Sequence, residues 1–74
     1  MKLPRTTGAK VVGALRRAGF EVVSIRGSHH YLYHAERDVI VTVPVHPQKT
    51  LAPKTLQTIL FQARITVDEF RALL

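Results

Sequence analysis

Seventy-four residues allow one small domain with a thin core, because a chain of this size buries only about 60% of the surface it exposes when unfolded. A hydrophobic fraction of 46% is ordinary for a folded domain and argues against intrinsic disorder. Cysteine is absent, which removes disulfides, thiolate nucleophiles and thiolate metal ligands, and fits a reducing compartment.

Eleven Lys and Arg oppose five Asp and Glu, for a net charge of +6 with histidines neutral. Lys2, Arg5, Lys10, Arg16, Arg17 and Arg26 meet a single acid, Glu21, in the N-terminal third. A field of that sign attracts polyanions, of which phosphate backbones are the commonest in a cell. No apolar run approaches the roughly 20 residues of a membrane span. The opening MKLPRTTGAK is not followed by the apolar stretch of a signal peptide. A cytoplasmic location, with no membrane partner, is therefore expected.

The segment TTGAKVVGALRRAGF reads as a helix. Thr6 or Thr7 can cap its N-terminus, and Val11, Ala14, Leu15 and Ala18 fall on one face. Gly19 is placed to end it in a left-handed conformation, while Gly13 weakens it by about 1 kcal/mol relative to alanine. FEVVSIR follows as a strand with partial alternation, and Gly27-Ser28 is a turn signal. HHYLYHA forms a second strand, ERD a second turn, and VIVTVPV the clearest strand of the chain. Strands joined so closely form an antiparallel meander. After the loop HPQKTLAP, the segment PKTLQTILFQA reads as a helix with Pro53 at its start. Leu56, Ile59, Leu60 and Ala63 make its buried stripe. TVDEFRALL is a last short helix, with Thr66 and Glu69 at capping-box spacing and Phe70, Leu73 and Leu74 on its apolar side. The expected fold is α+β, ordered α-β-β-β-α-α, with the helices on one face of a three-stranded sheet and the other face open to a partner.

RGSHHYLYH, residues 26–34, holds three of the four histidines. His30 and His34 project from the same side of their strand but lie roughly 13 Å apart along it. Ligand nitrogens all sit about 2 Å from one zinc ion. His29 and His30 point to opposite faces, and nothing in the spacing requires His46 to approach either. No metal site and no cofactor are expected. Ser28 beside His29 is not a catalytic triad, whose members meet in space rather than in sequence, and no phosphate-binding glycine loop is present. General acid–base chemistry survives, because histidine is the side chain whose ordinary pKa lies near neutrality. RNA carries its own nucleophile, the 2′-hydroxyl. His29 could serve as the base, Arg26 and Lys10 as cations, and N–H groups around Gly27 as backbone donors. An ordinary surface histidine in a basic hairpin fits the same residues.

The chain also resembles the HicA family of small toxins from prokaryotic toxin–antitoxin pairs. The residues that carry the resemblance are Leu15, Gly19 and Phe20 (L-x-x-x-G-F); Gly27, Ser28 and His29 (G-S-H); and Val43, Pro44 and His46 (V-P-x-H). Thr55, Leu56, Ile59, Leu60, Gln62 and Ala63 follow (T-L-x-x-I-L-x-Q-A), then Glu69 and Phe70. The similarity runs from about residue 3 to the end, so residues 1–74 read as a single HicA-like domain. Pro47 stands where family members often have glycine, and Pro53-Lys54 where they often have Lys-Gly or Pro-Gly; both lie in the loop leading to the second helix.

The resemblance implies a double-stranded-RNA-binding-domain-like fold and metal-independent cleavage of messenger RNA, a stress-response activity that arrests translation. It also implies a HicB-type antitoxin that blocks the site, and His29 as the catalytic residue. RNA-binding candidates are Gly27, Ser28, Arg26, Lys10, Arg16 and Arg17, with His30 and His46 as auxiliaries. His34 reads as structural or peripheral. Tyr31 and Tyr33 either stack on bases or pack under the helices. The competing readings are a non-catalytic RNA-binding module of the same fold, and a subunit whose basic face meets an acidic protein.

Overall fold

The computed structural model describes residues 3–74; Lys2, counted above among the basic residues, lies outside them. The elements are α1 (Gly8–Arg17), β1 (Glu21–Arg26), β2 (His29–His34), β3 (Val39–Pro44), α2 (Pro53–Ala63) and α3 (Val67–Leu73). The strands form one antiparallel sheet in the order β1-β2-β3, and the fold is the expected α+β arrangement with an open sheet.

Each helix follows from its sequence. Of the two candidate caps for α1, Thr7 is the one used. It is extended (φ −91°, ψ 161°), and its hydroxyl accepts from the N–H of Lys10. Val11, Ala14 and Leu15 are buried, while Ala18 at the C-cap is only half-buried. Gly19, at φ 105°, ends the helix, and the Phe20 N–H turns back to the Leu15 carbonyl at 3.0 Å. α2 starts on Pro53, so Pro53-Lys54 belong to its first turn and not to the loop before it, and it buries Leu56, Ile59, Leu60 and Ala63, the stripe its periodicity predicts. In α3 the Thr66 hydroxyl accepts from the Glu69 N–H while the Glu69 carboxylate accepts from the Thr66 N–H, both at 3.1 Å. Phe70 is fully buried, but Leu74 is exposed because it lies beyond the last helical residue.

The sheet has two unlike faces. Val22, Leu32 and Val41 are aligned across the strands on the face covered by the helices; Leu32 and Val41 are fully buried there. Ser24, Tyr31 and Thr42 are aligned on the outer face. The register of β1 against β2 shifts between Val22 and Ser24, so Val23 is an extra residue, a β-bulge. That bulge is why the alternation in FEVVSIR is only partial.

His34 and Arg37 close the far end of the core. His34 Nδ1 accepts from the Arg37 N–H at 3.2 Å, and its ring meets Phe20 edge-on at 5.0 Å. The Arg37 guanidinium donates to the carbonyls of Ala63 and Arg64 at 3.1 and 3.0 Å, which ties the β2–β3 turn to the end of α2. Among the described residues, no helix is long and apolar enough to cross a membrane.

Candidate nucleic-acid interface

The turn between β1 and β2 consists of Gly27 and Ser28, with Arg26 and His29 as the flanking strand partners. Gly27 has φ +59°, the glycine-first pattern of a type II′ hairpin. Nothing lies within 4 Å of a Cβ built on it, so the demand for glycine here is conformational and not steric. The Ser28 carbonyl accepts from the Val45 N–H at 2.6 Å, just past the end of β3. That bond engages the main chain of Ser28 and not its hydroxyl.

The same end of the molecule gathers three other segments. The start of α1 packs against the exit of β3 so tightly that a Cβ on Gly8 would collide with the Pro44 carbonyl. The Leu51 N–H donates to the Thr6 carbonyl at 2.8 Å, and Thr7 bridges Thr50. The hairpin turn, the β3 exit with His46, and the start of α1 are thus fixed to one another by main-chain contacts.

His29 is exposed at the first position of the central strand. Arg26 is its partner on one side and Pro44 on the other, all on the outer face. Directly opposed strand residues hold their Cβ atoms about 5 Å apart, so the Arg26 and His29 side chains leave the outer face side by side. His30 points the other way, between Ile25 and Val43, and its buried Nδ1 has no hydrogen-bond partner. His46 is exposed two residues beyond Pro44. The geometry brings His46 to the same end as His29 and sends His30 to the opposite face. Among the described residues, no group of three or more His, Asp or Glu is arranged to hold a metal ion.

The other basic candidates separate from this pair. Lys10 and Arg17 lie one above the other on α1 and line an open groove of about 530 Å³ with Arg5, Thr6, Ala9, Gly13 and Leu74. Arg17 also donates to the Leu73 carbonyl at 2.9 Å, which fastens α1 to α3. Arg16 is exposed in the last turn of α1, where a cation complements the helix dipole. Arg5 counts in the basic N-terminal third, but the sequence does not mark it as a contact. It precedes the helix, where no periodicity marks it, and only the fold brings it beside Lys10.

The two tyrosines are on the outer face, not under the helices. Tyr31 lines an open cavity of about 300 Å³ with Val23, Ser24, Arg26 and Ile40. Tyr33 donates its hydroxyl to Asp38 at 3.0 Å, and that bond, together with the Asp38 charge, holds the phenol above its usual range.

Residues 8–65 match the family described as the HicA toxin of bacterial toxin–antitoxin systems. No curated protein matches the chain.

Proposed function

Because this chain belongs to the HicA toxin family of bacterial toxin–antitoxin systems, we propose that it is a metal-independent endoribonuclease that cleaves messenger RNA and arrests translation. A HicB-type antitoxin neutralises it by covering the site, and both act in the cytoplasm. The observation that carries this reading is the exposed imidazole of His29, paired across the hairpin with Arg26 at a turn pinned by the main chain.

In this mechanism RNA supplies the nucleophile. His29 removes the proton of a 2′-hydroxyl, and the oxygen forms a new bond to the adjacent phosphorus. The bond from phosphorus to the 5′-oxygen breaks, and that oxygen leaves with a proton returned by the imidazolium or by water. The products are a 2′,3′-cyclic phosphate, which water can open to a 3′-phosphate, and a strand with a free 5′-hydroxyl. Arg26 stabilises the charge that grows on the phosphate oxygens. Gly27 sets the backbone angle that presents the imidazole. Lys10, Arg16, Arg17 and Ser28 serve as further backbone contacts, with His46 as an auxiliary at the same end; His30, on the opposite face of the sheet from His29, takes no part.

End-labelled RNA incubated with the protein in EDTA tests the proposal. Cleavage leaving cyclic-phosphate ends is expected, and His29→Ala should lower the rate by about 10²–10⁴-fold, the usual worth of general acid–base catalysis, without altering the circular dichroism spectrum. An equally active His29→Ala variant removes His29 from the chemistry. Binding without cleavage by the wild-type chain would instead support the RNA-binding module.

A further inference from the structure

Resting on the ribonuclease reading, we propose that the outer sheet face holds a nucleobase site. Tyr31 is the platform on which one unpaired base stacks while the phosphate beside it meets Arg26 and His29.

The placement of Tyr31 supports this. It follows His29 by two residues on β2, so both side chains leave the same face about 6.6 Å apart along the strand. Tyr33 is twice as far away, and its hydroxyl is tied to Asp38. Tyr31 is half-buried and lies beside Val23 and Ile40, which are 52% and 58% exposed. Apolar side chains of that exposure, next to an aromatic ring and with the cationic Arg26 in the same lining, make a surface for something flat, apolar on its faces and attached to an anion. A nucleotide has those properties. The cavity of about 300 Å³ is at the small end of ligand pockets, a size suited to one ring system rather than a helix or a loop of a protein.

The bulge at Val23 shapes the site. Without the extra residue, Val22 and Ser24 would share a face. The register shift sends Val22 toward the core and sets Ser24 opposite Tyr31 on the outer face. Ser24 thereby gains access to the polar edge of a stacked base. Arg26 lines this cavity and is also the partner of His29, so one side chain joins the base site to the reacting phosphate. A duplex cannot use such a platform, because its bases are already stacked and paired; sequence-tolerant stacking on aromatics belongs to single strands. The substrate class is therefore RNA with at least one unpaired nucleotide at the cut.

The test measures binding of a fluorescent, fully 2′-O-methylated single-stranded RNA, which lacks the nucleophile and cannot be cut, to the full chain. Tyr31→Thr retains strand propensity and should weaken binding roughly 5- to 150-fold, the range measured for one base on one aromatic. Tyr31→Phe should bind as wild type does. An oligonucleotide series carrying one abasic position should show the same loss with the unaltered protein, at one position only, so the outcome does not depend on the variant folding. Duplex RNA should bind equally to wild type and Tyr31→Thr. Unchanged single-strand affinity in Tyr31→Thr, or no abasic effect, overturns the base site, and if His29→Ala still abolishes cleavage the ribonuclease reading survives it. A Tyr31→Thr defect seen only in binding to the antitoxin also overturns it, and makes this face a protein interface. Absence of any RNA binding or cleavage by the wild-type chain overturns both readings.

Discussion

At the scale of single residues, the molecule asks for glycine at position 27 because of an angle. A φ of +59° is where a Cβ crowds the following carbonyl, at about 1–2 kcal/mol for an ordinary L-residue, while asparagine tolerates it better. Gly27→Ala should therefore lower unfolding free energy by about 1–2 kcal/mol in a urea titration, with Gly27→Asn closer to wild type. If RNA cleavage falls more than stability does in Gly27→Asn, the turn's contribution to presenting His29 is directly measured. The turn glycine was legible because Gly-Ser between two strand patterns has a mechanical meaning. The partnership of Arg26 with His29 was only half legible, since a two-residue turn implies it but only the observed register establishes it. The placement of Arg5 beside Lys10 was illegible, because it depends on how the chain enters α1.

At the scale of elements, α3 illustrates how a short helix is held. Its capping box satisfies two end groups at once, and removing the hydroxyl with Thr66→Ala should cost about 1 kcal/mol of stability. The Glu69 carboxyl is held below the ordinary carboxylate range, chiefly by the N–H of Thr66. In the unfolded chain that carboxyl returns to its ordinary value, so the folded state binds its proton less readily. The resulting stabilisation is present in full above the ordinary glutamate value of about 4.3 and fades as pH falls through the lowered one. Melting curves should accordingly separate wild type from Glu69→Ala at pH 7 and converge well below that value; a gap that persists in strong acid would rule out the charged cap. The helices were legible because apolar spacing, a proline at the first turn and a capping pair all agree. The bulge in β1 was not, because an extra residue changes which side chains share a face without changing composition. It is also what put Tyr31's surroundings out of reach of the sequence.

At the scale of the whole molecule, the net charge of +6 makes affinity for any RNA depend on salt. Single strands show a slope of about −0.7 in log affinity against log salt for each phosphate neutralised. Arg26→Gln should flatten that slope by about 0.7, measured with uncleavable RNA over a salt series; an unchanged slope would mean that Arg26 touches no phosphate. The basic character of the chain was plain from composition, but its division was not. The fold sends Arg26 to the outer sheet face and Lys10, Arg17 and Arg5 to a groove beside α3. The surplus residue at Val23 has a further effect, at the rim of the sheet. β1 is an outermost strand, and a long regular border of that kind invites another chain to zip onto it. Interrupting the ladder twists and breaks up the row, so the irregularity that opens a pocket on one side also makes this border a poorer template for a second chain.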